Sequence, residues 1–191
     1  MKILVRRGPI PGGDDEVALE TGWTGRSLRK GARGNAIGPW MVLHPAPGDR
    51  FTQADDAALV VRGDFGGLRV LLLSDLGQNG QAQLLARTDN LSADVVVIGF
   101  PRRGEPLVDP LLEATSPQIV VIGEAPEPMS EQRIRKVRER LESHGVTVMD
   151  TRETGAVTIS VQKGQYVVLL AKAGSTRGRI EFPLPGRSAE R

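Results

Sequence analysis

Residues 68–123 read LRVLLLSDLGQNGQAQLLARTDNLSADVVVIGFPRRGEPLVDPLLEATSPQIVVIG, and the architecture is set there. Three apolar runs stand out: LRVLLL at 68–73, DVVVIG at 94–99 and QIVVIG at 118–123. They are continuous rather than alternating, which is the pattern of strands buried on both faces. The first two are separated by a short helical stretch over 78–87, with Leu84 and Leu85 as its buried residues. The second and third are separated by PLVDPLLEA (106–114), a short helix or turn able to carry a right-handed crossover between parallel strands.

Working outward, AALVVR at 57–62 pairs with 68–73 around residues 63–67, where Asp64 and the glycines mark a hairpin turn. Short strands are expected at 40–43 (WMVL) and 146–149, and a second hairpin joins 156–161 to 166–170 around 162–165. A clear helix spans 131–144, with Ser130 as N-cap, Ile134, Val137 and Leu141 on one face, and Gly145 after its end. Its other face carries Arg133, Arg135, Lys136, Arg138 and Arg140 among Glu131, Glu139 and Glu142. That face reads as solvated and laced with i,i+3 and i,i+4 ion pairs, with a nucleic-acid contact as the alternative. Hairpins flanking βαβ units give an α/β protein with a mixed sheet, not an all-parallel doubly wound one. Three segments follow: a Gly/Arg-rich stretch at 1–39, a compact domain at 40–173, and a tail at 174–191 expected to be loosely ordered, with Ile180, Phe182 and Leu184 as its apolar anchors. There is no internal repeat.

A chain of 191 residues is enough for one domain with a real core. It has no cysteine and only two histidines, His44 and His144. Disulfides, thiolate nucleophiles, iron–sulfur clusters and cysteine zinc sites are thereby excluded, as is a three-histidine zinc site from one chain. The 25 basic residues, all but five of them Arg, stand against 23 acidic ones, for a net charge of +2. Arginine suits bidentate contacts with phosphate or carboxylate, but so mild a net charge is far from that of a dedicated nucleic-acid binder. No apolar run reaches the length of about 18 residues that a membrane span needs, and the chain as given reads as soluble.

Several loops carry candidate chemistry. In SDLGQNG (74–80), Asp75 follows the end of an apolar strand and precedes glycines and a helix start. Such a carboxylate can ligate a metal or face a phosphate; equally it can cap the turn by accepting from backbone amides. At GFPRRGE (99–105), Arg102 and Arg103 follow the next buried strand. If the two strands are neighbours, these arginines share an edge with Asp75, where they can bind an anion or pair with Asp75 or Glu105. Asp55 and Asp56 precede a strand and point to opposite faces, so they form no acid/base dyad, and one of them caps or orients a turn. Glu124 lies in a proline-rich loop at a third strand end. His44 reads as a structural hydrogen-bonding residue and His144 as a residue suited to a helix C-terminus. No G-x-S-x-G, Walker loop or G-x-G-x-x-G is present.

The order of these loops resembles the metallo-β-lactamase-fold domain at the C-terminal end of the ComEC family of DNA-internalisation competence proteins. The resemblance covers residues 40–161. It rests on Leu43-His44-Pro45 against L-x-P, Ala58-Leu59-Val60-Val61 against an S-L-V-L strand, and Leu72-Leu73-Ser74-Asp75 against L-L-x-G-D. Pro101-Arg102-Arg103-Gly104-Glu105 stands where the family has P-H-H-G-S, and Thr151-Arg152-Glu153-Thr154-Gly155-Ala156-Val157 matches the closing T-x-x-x-G-A-I. The resemblance implies a four-layer αββα sandwich, or its C-terminal half. The family's metal-binding set includes the aspartate matched by Asp75 and a histidine of the pair that is Arg102-Arg103 here. A guanidinium has no lone pair to offer a metal. The H-x-H-x-D-H motif that begins the family's metal site is absent.

The leading expectation is therefore a non-catalytic, metal-free domain, with no catalytic residue, no cofactor, and an anion or nucleic-acid site at Arg102, Arg103 and Asp75. The alternative is a phosphodiesterase or nuclease binding magnesium or manganese through Asp75, Glu105 and Glu124, since hard cations accept all-oxygen sites. The family's channel spans are not in this chain, so it also reads as a domain excised from a membrane-bound parent. A half-fold leaves a sheet face open, and self-association into a homo-oligomer is the simplest way to cover it.

Overall fold

Continuous burial makes the three apolar runs parallel neighbours in the middle of a seven-stranded sheet. The computed structural model describes residues 3–7, 16–18, 32–123, 131–162, 165–172 and 175–184. In chain order the strands of the first sheet are β3 (Ala36–Ile37), β4 (Trp40–His44), β5 (Val60–Phe65), β6 (Leu68–Ser74), β7 (Val95–Ile98), β8 (Ile119–Ile122) and β9 (Thr147–Asp150), and they lie in that spatial order. β3 to β6 pair antiparallel, and β6 to β9 pair parallel. A second, five-stranded sheet has the order β12-β11-β10-β1-β2, from β1 (Ile3–Arg7), β2 (Glu16–Ala18), β10 (Ala156–Gln162), β11 (Gln165–Lys172) and β12 (Ser175–Pro183). The class is α/β with mixed sheets.

Alternation along each central strand feeds two cores. Val95, Val97, Ile119 and Val121 join Val157, Ile159, Tyr166 and Val168 of the second sheet in one cluster, so the sheets pack face to face. Val96, Ile98, Val120 and Ile122 point the other way. There they meet Leu84 of α1 (Gln78–Arg87), Leu111 and Leu112 of α2 (Asp109–Thr115), and Ile134, Val137 and Leu141 of α3 (Glu131–Ser143). The four-residue α4 (Thr151–Thr154) links β9 of one sheet to β10 of the other. No helix among the described residues is long and apolar enough to cross a membrane.

Three expectations need correcting. The tail is not loosely ordered where it is described: Ser175–Pro183 is a full strand on β11, and Leu184 is buried. The N-terminal segment contributes β1, parallel to β10, so the second sheet draws on both end segments. The strand expected over 57–62 starts at Val60 and continues to Phe65, because Asp55–Ala57 forms a 3-10 turn. Gly63 stays inside that strand because Trp40 and Phe65 close over it edge to face at 5.1 Å, and a Cβ there would meet Phe65 Cε2 at 2.6 Å. The chain reverses at Gly66-Gly67, both at positive φ, with Phe65 opposite Leu68. Ser130, the expected cap of α3, lies outside the described residues.

Candidate functional site

Parallel pairing of β6 with β7 brings the ends of the two strands to one edge of the sheet, so the loop holding Asp75 and the loop holding Arg102 and Arg103 are neighbours. Gly99 donates its N–H to the Ser74 carbonyl at 2.6 Å, tying the loops at their base. Buried Gln81 of α1 stitches them further: its Nε2 donates to the carbonyls of Leu76 and Glu105, both at 2.9 Å, and its Oε1 accepts from Val108 N.

Asp75 does not cap the turn. Its side chain is exposed and has no hydrogen bond or ion pair among the described residues. The capping carboxylate is Asp56, 3 % exposed, which accepts from Asn79 N at 3.0 Å, Gly80 N at 3.3 Å and Asn79 Nδ2 at 2.9 Å. This also explains the glycines of the SDLGQNG loop. A Cβ on Gly77 would collide with Asp56 Oδ1, and one on Gly80 would meet Asp56 O at 2.6 Å. The glycines admit the Asp55–Ala57 turn to the start of α1, and that helix end is already occupied by a carboxylate. His44, 1 % exposed, completes the arrangement by donating from Nε2 to the Asp56 carbonyl at 2.8 Å. It has the structural role expected of it, and His144 donates from Nδ1 to the Arg140 carbonyl at 2.9 Å.

The arginine loop is pinned from two sides. The Asp55 carboxylate accepts from Arg102 N at 2.7 Å. From α3, Arg133 Nη2 donates to Pro101 O at 2.8 Å and Gly104 O at 2.6 Å, and its guanidinium lies 5.4 Å from the centre of the Phe100 ring. The helix face expected to be solvated therefore divides: Arg135 pairs with Glu139 one turn on, while Arg133 reaches the arginine loop, Arg138 reaches Asp150 of β9 and Glu153 of α4, and Arg140 reaches Asp109 and the carbonyls of Pro106 and Leu107. Arg140 binds Asp109 at 2.5 Å and lies 3.8 Å from Glu105.

Arg102 and Arg103 themselves are exposed, and neither side chain has a partner among the described residues. Every other arginine whose side chain is described is bound, for example Arg69 to Asp94, Arg87 to Asp49, Arg152 to Asp150 and Arg62 to the Asn90 carbonyl. Thus Arg102, Arg103 and Asp75 share an edge without touching. The depression between the loops, lined by Leu73, Ser74, Leu76, Gln81 and Gly99 among others, has no room for a water molecule. Anything bound here lies on the surface.

Among the described residues no three of His, Asp and Glu come together as a metal site would require. Of the carboxylates considered for a hard cation, Asp75 stands apart, Glu105 faces Arg140, and Glu124 lies outside the described residues. Sequence reasoning named Asp55 and Asp56 as turn residues but did not give Asp56 the helix cap. It missed Gln81 and the grip of Arg133. Gln81 stands three residues before Leu84 on the buried face of α1, which was the available signal for it. No family model matches the chain, and no curated protein or solved structure matches it.

Proposed function

We propose that this is a non-catalytic, metal-free metallo-β-lactamase-like domain, related to the C-terminal region of the ComEC DNA-uptake proteins, that holds an anion such as the phosphates of a nucleic acid at Arg102 and Arg103 beside Asp75. Two stacked sheets with helices over one of them support an αββα sandwich or its C-terminal half. The observation that carries the functional reading is the state of the two arginines. On a loop whose backbone is fixed by Asp55 and Arg133, they alone among the arginines with described side chains have no partner. A fixed backbone lowers the ordering cost of binding, and unpaired guanidinium groups are the donors phosphate accepts bidentately.

The test is binding of a labelled single-stranded DNA at low salt to wild type and to the Arg102→Ala/Arg103→Ala double variant. The expected loss is about tenfold or more, with a salt dependence shallower by about 1 to 2 units. Equal affinity in the two proteins overturns the anion site, and stoichiometric zinc or manganese in the purified protein overturns the metal-free reading. Manganese-dependent cleavage abolished by Asp75→Asn would replace both with carboxylate-based hydrolysis.

A further inference from the structure

The five-stranded sheet ends on β12, a nine-residue strand bonded to β11 on one side and to no strand on the other among the described residues. Strands are commonly about 5 to 6 residues long, so this is a long edge to leave unpaired, and natural sheets usually blunt such edges. Ile180, near its middle, is one of three large apolar side chains that stay exposed among the described residues, at 37 %. Its register opposite Val168 puts it on the face turned toward the other sheet, with Gly178 opposite Leu170 and Phe182 opposite Tyr166. Arg179 and Glu181 lie on the outer face and bind each other, Nε to Oε1 at 2.9 Å and Nη2 to Oε1 at 2.8 Å.

We propose that β12 pairs antiparallel with β12 of a second copy of the chain about a two-fold axis at Ile180, joining the two five-stranded sheets edge to edge. The argument is self-complementarity. With Ile180 at the axis, each residue n places after it faces the residue n places before it. Arg179 of each copy then faces Glu181 of the other, and each carboxylate is shared by two guanidinium groups. Ile180 buries against its own copy. Gly178 faces Phe182, a glycine opposite an aromatic ring already stacked flat on Tyr166 at 5.1 Å, and that pairing covers the half-buried glycine backbone further. The adjacent registers fail. An axis at Arg179 sets guanidinium against guanidinium, and an axis at Glu181 sets carboxylate against carboxylate, both destabilising when directly opposed. Exposed ion pairs add little affinity singly, so their part is to select this register, while the backbone bonds and the apolar row hold it.

The chain has no cysteine, which makes the register directly testable. Directly opposed antiparallel residues have Cα atoms about 4.5 to 5.5 Å apart, within the span of about 4.4 to 6.8 Å that a disulfide bridges. Ile180→Cys in the full chain should therefore form a disulfide-linked dimer under mild oxidation, at least tenfold faster than the control Leu59→Cys, an exposed position just before β5 of the other sheet. Sedimentation equilibrium should show a wild-type dimer. Glu181→Arg should weaken it tenfold or more, and the exchange Arg179→Glu/Glu181→Arg should restore it. A wild type monomeric at every concentration, Ile180→Cys cross-linking no faster than Leu59→Cys, or a dimer indifferent to Glu181→Arg would each overturn the proposal. All four substitutions are at exposed positions, and circular dichroism checks that each variant keeps its fold.

Discussion

At the end of β9 one carboxylate is shared by two arginines, whereas at the ends of β6 and β7 one carboxylate and two arginines share an edge without contact. The two places belong to the same parallel run of strands and use the same residue types. Burial separates them. The Asp150 side chain is wholly covered, and a covered charge must be matched. Arg152 supplies its Nη2 at 2.7 Å and its backbone N at 2.9 Å, and Arg138 reaches in from α3 at 3.7 Å. Asp75 is exposed, water solvates it, and nothing draws Arg102 or Arg103 toward it. Structural arginines in this fold are those that answer a buried carboxylate or a loop carbonyl; the pair at 102–103 answers neither.

The strongest way to break the comparison is to remove the buried partner. Asp150→Ala should destabilise the fold by about 3 kcal/mol, because Arg138 and Arg152 lose their shared acceptor and the start of α4 loses its cap. Chemical denaturation at neutral pH measures it. Burial on its own would push the Asp150 carboxyl up, but the Arg152 side chain and amide, with the Arg138 charge, hold it below its ordinary value. A carboxyl lowered in the folded state contributes stability that is present above its unfolded value, near 3.9, and is lost as pH falls through the folded value. The gap between wild type and Asp150→Ala should therefore be constant near neutrality and narrow only below about pH 4. A gap that narrows already between pH 7 and 5 would contradict the pairing.

Asp56→Ala comes next, at about 2 kcal/mol, since it leaves the amides of Asn79 and Gly80 without their acceptor inside the protein. Thermal melts measure it, and Asp75→Ala, one loop away, should leave the melting temperature unchanged. This pair of carboxylates also marks how far sequence reasoning reached. The parallel run was legible because 94–99 and 118–123 are apolar at every central position, as only strands covered on both faces can be. The neighbourhood of Asp75 and Arg102 followed from strand adjacency alone. Which aspartate caps α1 did not, because Asp56 reaches the helix from 23 residues away and only the folded loop brings it there. The grip of Arg133 on Pro101 and Gly104 is likewise a contact across the sheet edge, with no local pattern to announce it. Strand β12 resembles a linker in its glycine, proline and charges, and pairing with β11 overrides that composition.

The smallest expected effect sharpens the comparison most. Arg102→Ala/Arg103→Ala should change stability by no more than about 0.5 kcal/mol, as surface substitutions without partners do. The loop itself should keep its shape, because Asp55 holds the backbone N–H of residue 102 and Arg133 holds the carbonyls of 101 and 104, none of which depends on the two side chains. Denaturation midpoints of the double variant and wild type, compared without and with single-stranded DNA, separate the two contributions. Without DNA the midpoints should coincide. With it, wild type should gain stability by linkage and the variant should gain less. A variant that is markedly less stable on its own would mean that the arginines belong with those around Asp150, as parts of the scaffold. Coincident midpoints in both conditions would leave the pair without a role in binding, so only divergence on adding DNA agrees with a rigid loop presenting free guanidinium groups.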